Sequence, residues 1–138
     1  KDWLSWNTLV RIFSPQLLSV NGVNTNLELY KFNQKQLDVN ISGKSVFEVE
    51  TMYAALDSLH IHASDSSEVV FEMSPDVKRE GTFHVNTVSA TLKGYSFLDI
   101  GHAQIDSLKL NVADSSGVLL SGGTMKRSQS YNYKKKVE

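Results

Sequence analysis

An all-β fold is what this 138-residue sequence predicts: a single-stranded, right-handed parallel β-helix of about five coils of 21–25 residues. Three observations carry the expectation. A thirteen-residue segment recurs at a fixed offset, the apolar residues within each copy alternate with period 2, and a Gly or Asp followed by Ser sits where each copy must turn.

The strong repeat runs from Asp57 to Val69 and again from Asp106 to Val118, an offset of 106 − 57 = 49, with seven of the thirteen positions identical. Weaker copies surround it. Leu37 to Ser45 lies 22 residues before the Leu59 copy, Leu18 to Asn24 precedes that by 21, and Phe83 to Thr87 falls midway between the strong copies. The series Val20, Ile41, Ala63, Thr87, Val112 then steps by 21, 22, 24 and 25. A period in the low twenties describes a solenoid in which each repeat is one coil.

Within a copy, Leu59, Ile61 and Ala63 alternate with His60, His62 and Ser64, and Leu108, Leu110 and Val112 alternate with Lys109, Asn111 and Ala113. Period 2 means a strand with one face in a core and the other in solvent. After a short polar turn comes a second alternating strand, as in Phe47/Val49, Val69/Phe71/Met73 and Val118/Leu120. No segment of useful length repeats its apolar residues every 3.6 positions. Gly22, Gly43, Asp65 and Asp114 occupy the turn. Gly, Asn and Asp are the residues that accept a left-handed backbone, so these four read as a structural corner. Ser45, Ser66, Ser67, Ser115 and Ser116 follow, placed to hydrogen-bond the backbone there. An antiparallel sandwich is also turn-rich, but its strands need not resemble one another. Parallel crossovers are right-handed almost without exception, which sets the expected hand.

The chain reads as one domain. Residues 1–16 form an N-terminal strand and cap, with Trp3 and Trp6 covering the open end of the first coil; 17–125 form the coils; and 126–138 form a basic, flexible tail that includes Lys134-Lys135-Lys136. The segment from Lys1 holds no apolar run long enough for a signal peptide or a membrane span.

Composition bounds the function. Fourteen Lys and Arg against fifteen Asp and Glu give a net charge of −1, which argues against a general nucleic-acid binder. With no cysteine there are no disulfides, thiol nucleophiles or cysteine-held metals. Eighteen Ser, nine Asn and eight Gly beside two Pro fit many tight turns.

The recurring Ser-Gly-x-Ser-like corner after an alternating strand, seen in Ser42-Gly43-Lys44-Ser45, Ser64-Asp65-Ser66-Ser67 and Ala113-Asp114-Ser115-Ser116, resembles the head GIN domain of autotransporter-adhesin-like proteins of Bacteroides-type bacteria. The likeness spans roughly residues 10–123. It implies a β-helix, export to the periplasm, outer membrane or cell exterior, and a surface or adhesion role. It supplies no catalytic motif, and two corners carry Asp where that family has Gly.

Several residue sets in the sequence bear on chemistry. Ser42-Gly43-Lys44-Ser45 ends like a phosphate-binding loop, but Asp38 stands where the loop needs its first Gly and a strand follows where it needs a helix. In the coil register above, one outward column reads Asp38, His60, His84, Lys109 and the next Asn40, His62, Asn86, Asn111. Three imidazoles and a carboxylate, Asp38, His60, His62 and His84, are thus a candidate metal cluster, set against a solvated polar ladder. A Ser66/His62/Asp65 set lacks the strained elbow of a hydrolase nucleophile. The pairs Glu48/Glu50 and Glu68/Glu72 read as outward charges that discourage edge pairing.

The expectation is therefore a non-enzymatic, exported, adhesin-like domain with no cofactor. Its partners would be a glycan or a surface protein met through the repetitive polar outer face, and no nucleic acid. The competing expectation is a self-associating scaffold, a homo-oligomer built by coil stacking, with a carbohydrate-active or metal-binding domain behind it.

Overall fold

Residues 11–30, 34–51, 55–73, 83–120 and 130–136 are those the computed structural model describes. Among them the period-2 alternation becomes strands throughout, with no helix and so none long and apolar enough to cross a membrane. In chain order the strands are β1 (Ser19–Val23), β2 (Asn26–Leu29), β3 (Gln36–Ser42), β4 (Val46–Thr51), β5 (Ala55–Ala63), β6 (Glu68–Met73), β7 (Phe83–Leu92), β8 (Phe97–Asp99), β9 (Ala103–Ala113), β10 (Gly117–Leu119) and β11 (Ser130–Lys136). Odd-numbered strands form one sheet, A, in the order β1-β3-β5-β7-β9-β11; even-numbered strands form sheet B, in the order β10-β8-β6-β4-β2. Every pairing is parallel.

The protein is an all-β parallel β-solenoid of about four turns. Five strand-corner-strand units, from β1–β2 to β9–β10, complete those turns, and β11 continues sheet A. The core lies between the sheets in columns that run up the stack. Leu37, Leu59, Val88 and Leu108 form one column and Val39, Ile61, Ala90 and Leu110 the next, all buried. Sheet B contributes Phe47, Val69 and Leu98. The rings of Phe71 and Phe83 stack with centroids 5.4 Å apart. Burial of such side chains stabilises by about 1.5–3 kcal/mol each. No single coil can bury its column alone, so stability accrues from neighbour on neighbour.

A second bend is built into sheet A. Asp57 and Ser58 both face outward between buried Leu56 and Leu59; Asn86 with Thr87 and Asp106 with Ser107 do the same. The alternation slips by one residue at each, so the first part of β5, β7 and β9 forms a third face with Leu56, Val85 and Ile105 inside.

Corners fix the register. Asn24, Gly43, Asp65, Gly94 and Asp114 all have positive φ, between 53° and 74°. Gly43, Asp65 and Asp114 are therefore corners as expected, whereas Gly22 is not. It lies within β1 opposite Ile41, and Asn24 turns the first coil. The unrecognised fourth corner is Gly94. The aligned series is Gly22, Ile41, Ala63, Leu92, Val112, stepping by 19, 22, 29 and 20, not the even spacing the weak copies suggest. The long step holds its extra residues between β6 and β7, where 74–82 lie outside the described residues. Because 29 and 20 still total 49, the strong repeat disguised the unequal division.

Polar side chains close each corner. The Gly43 N–H donates to Asp65 Oδ2 at 2.9 Å, the Gly94 N–H to Asp114 Oδ2 at 2.8 Å, and the Lys44 N–H to Asn24 Oδ1 at 3.0 Å. Behind them runs a column of buried hydroxyls: Ser45, Ser67 and Ser96 donate to the carbonyls of Ser42, Ser64 and Lys93 at 2.6–2.7 Å. Ser66 and Ser115, expected to share this work, point to solvent.

The two ends differ from expectation. Residues 126–138 are not wholly a flexible tail, because 130–136 pair with β9 from Ser130↔Ser107 to Lys136↔Ala113. Tyr131 and Tyr133 are good strand formers and β9 offers a parallel edge. Trp3 and Trp6, and with them the cap, lie outside the described residues.

The corner makes a clear prediction. A Cβ on Gly94 would sit 2.7 Å from the Asp65 carbonyl oxygen, and φ is +74°. Gly94→Ala should lower stability by about 2 kcal/mol or more in urea unfolding, from left-handed strain plus the backbone overlap. Gly117→Ala meets only the Phe97 ring at 3.4 Å and should stay within about 0.5 kcal/mol of wild type. Equal midpoints for the two variants would show that the corner imposes no such constraint.

Candidate functional site

Strand alternation puts two chemically different faces outward. On sheet A the outward column nearest the corner-side centre reads Asn21, Asn40, His62, Thr91, Asn111. The column beside it, just before the corners, reads Val23, Ser42, Ser64, Lys93, Ala113. The backbone between the two dips to the small or inward residues Gly22, Ile41 and Ala63, and an open groove of about 550 Å³ runs across four coils there. That volume lies within the roughly 300–1,000 Å³ range of small-molecule sites. Its lining is largely apolar, with Val23, Ile41 and Ala63, and sets among them amides, hydroxyls, one imidazole and one ammonium, with no carboxylate among the described residues.

The structure separates the expected histidine cluster. Asp38 and His60 are neighbours across β3 and β5, with His60 Nδ1 3.1 Å from Asp38 Oδ1. On the next coil the same register position is Ser89, not His84. His84 stands five residues earlier, opposite Ala55 and Gln104 on the third face, and its Nε2 lies 3.1 Å from Asp106 Oδ1. His62 belongs to the neighbouring column, between Asn40 and Thr91. The mistake follows from the assumed even period, which aligned His84 with His60 and Asn86 with His62. Asn86 instead donates to Asp57 at the sheet A bend. Among the described residues no three His, Asp or Glu side chains converge as a metal site.

Other candidates resolve in the same way. Gly43 of the loop-like Ser42-Gly43-Lys44-Ser45 is a corner between two strands. Asp65 spends its carboxylate on the Gly43 N–H, while Ser66 and His62 are exposed on either side of that corner. Sequence reading missed Thr91, Lys93 and Asn21 as groove residues. The signal was present, since Lys93-Gly94-Tyr95-Ser96 has the same Gly-x-Ser spacing as the corner at Gly43.

Sheet B presents the opposite chemistry. Glu28, Glu48, Glu50, Glu68, Glu72 and Asp99 face outward, and its five strands contain no lysine or arginine. Partial burial pushes the Glu48 carboxyl above the usual carboxylate range, and repulsion from Glu72, Glu28 and Glu68 adds to it. The Tyr30 hydroxyl donates to Glu28, and that bond together with the Glu28 charge raises the phenol. Toward β8 and β10 the face turns apolar, with Phe97 and Leu119 exposed beside the corner residue Tyr95.

No family model, curated protein or solved structure matches the chain.

Glu48 gives a pH dependence whose sign is fixed. A carboxyl raised in the folded state favours the protonated form there, so it stabilises below the unfolded carboxylate range and loses that contribution as pH rises through the folded value. Glu48→Gln should therefore raise the urea midpoint at pH 7, and the advantage should fade as pH falls through the carboxylate range. An advantage that persisted unchanged in acid would point to packing rather than charge.

Proposed function

We propose that this chain is a non-catalytic binding domain that holds a repeating polymer, a glycan first, against the outer face of sheet A. The single observation that carries the reading is the groove on that face, whose polar wall repeats once per coil as Asn21, Asn40, His62 and Thr91. Coils stack about 4.8 Å apart, close to the length of one sugar ring, so successive side chains can meet successive units of a polymer. Amides and hydroxyls match the donors and acceptors of sugar hydroxyls. Each such exposed contact is weak, and affinity comes from several acting on one linked ligand.

The likeness of the corners to the head GIN domain extends the reading to an exported, surface-associated protein with an adhesin-like role. The Asp at two corners does not count against it, because in this fold Asp65 and Asp114 take the same left-handed turn as Gly43. A second reading, a scaffold that associates end to end, has its own observation. Leu27 and Leu29 on β2, and Val118 and Leu120 at β10, are only partly buried at the two ends of sheet B.

A glycan array separates these. The wild-type chain should bind at least one repeating polysaccharide, and Asn40→Ala with His62→Ala should weaken that binding by about tenfold, since both side chains are exposed and the fold does not depend on them. Absence of binding to every repeating glycan would refute the display reading. Sedimentation across a concentration series tests the scaffold, which requires growing species; a monomer throughout excludes it.

A further inference from the structure

Charge is divided between the two faces, and the division says what kind of polymer the groove accepts. We infer that the groove on sheet A takes an acidic polysaccharide, one that carries carboxylates along its chain, with Lys93 as the anchor for a carboxylate and His62 as its neighbour. This rests on the glycan reading above and narrows it.

Four observations lead to it. The two ionisable groups that line the groove are Lys93 and His62, one coil apart on adjoining columns, and no carboxylate lines it among the described residues. Of the carboxylates that flank it, the exposed corner residues Asp65 and Asp114 accept the N–H groups of Gly43 and Gly94, and Asp38, on the next column, contacts His60 at 3.1 Å. Lys109 stands on that same column further up the stack, and Lys44 is exposed at the corner below, so further cations flank the approach. Sheet B, by contrast, carries six outward carboxylates and no lysine or arginine.

The consequences follow from Coulomb's law at a solvated surface. A polyanion is repelled from sheet B, and the unequal field orients it toward the one face that also offers amides and hydroxyls. Like charges at successive registers of sheet B, Glu28 beside Glu48 and Glu50 beside Glu72, are mutually unfavourable, and repulsion adds to the burial that raises Glu48, so the segregation is not what stability alone would select. A neutral glycan would need no such division, because hydroxyl recognition is indifferent to the sign of the opposite face.

The binding partner can be probed with polygalacturonate and alginate, each beside its fully methyl-esterified form, which keeps the sugar chain and removes the charge. Titration calorimetry on the whole chain should show binding to the acids and not to the esters, weakening as salt rises. Lys93→Gln should lower affinity about three- to fivefold and Lys93→Glu should abolish binding, whereas Glu68→Gln on the other face should leave it unchanged. Lys93 is an exposed side chain, so these variants keep the fold. Equal binding to acid and ester, unmoved by Lys93→Glu, would overturn the inference and leave a glycan site. The same holds if neither uronate binds while the array finds a neutral polymer whose binding falls in His62→Ala. Failure with every glycan would remove both readings together.

Discussion

Everything in this fold hangs on getting the chain from sheet A to sheet B in two to four residues, five times over, without losing register. A left-handed residue makes the turn, but it also leaves a backbone N–H facing the neighbouring coil. The solution is an alternation up the stack: Asn24, Gly43, Asp65, Gly94, Asp114. Side chains of the Asx corners accept the N–H groups of the glycine coils beside them. The glycines in turn have no Cβ where the neighbouring corner lies, since one on Gly43 would meet the Asn24 amide and one on Gly94 the Asp65 backbone. Each corner is thus complementary to its neighbour. The buried Ser45, Ser67 and Ser96 complete the arrangement by satisfying carbonyls that the turn would otherwise leave unpaired. The first corner is the exception. It is one residue shorter, and among the described residues the buried Thr25 hydroxyl finds no partner.

Much of this was legible because strand alternation and corner chemistry are local. Leu59, Ile61 and Ala63 announce a strand whatever surrounds them, and Gly43, Asp65 and Asp114 announce a turn. Coil length is not local. It depends on how many residues are spent between sheet B and the next strand of sheet A, and that connection has no fixed chemistry. The span from Ala63 to Val112 holds one coil of 29 and one of 20 residues, so halving it misplaced His84 and Asn86 and dissolved the histidine cluster. Matching corners rather than averaging offsets would have found Gly94, and with it the true column of Asn40, His62 and Thr91. At the first coil Gly22 and Asn24 both suit a left-handed turn by residue type, and it is Asn24 that takes it while Gly22 stays in the strand.

The faces divide labour that a solenoid cannot give to its core. Inside, the columns are interchangeable aliphatic and aromatic side chains whose sole demand is volume. Outside, sheet A sets carboxylates against imidazoles across coils, with Asp38 against His60 and His84 against Asp106. Such exposed contacts contribute at most about 1 kcal/mol each, and the ionisable side chains that line the groove are Lys93 and His62. Sheet B does the reverse. It stacks like charges at successive registers, Glu28 beside Glu48 and Glu50 beside Glu72, where offsetting with lysine was open to it.

The position of the groove follows from where the coil tolerates change. Extra length enters between β6 and β7, on the side of the coil remote from the corners. At the corner end the connections stay at two to four residues, and a lengthened coil returns to the same register before it reaches them: Ala63 meets Leu92 as directly as Ile41 meets Ala63. A surface that must present one polar residue per coil at constant spacing has to lie beside the feature that sets the spacing. The groove's two columns end immediately before the corner residues, so the hydrogen bonds that lock the corners also hold Asn40, His62 and Thr91 in line. Insertions elsewhere in the solenoid can then lengthen a coil without disturbing the face that would read a polymer.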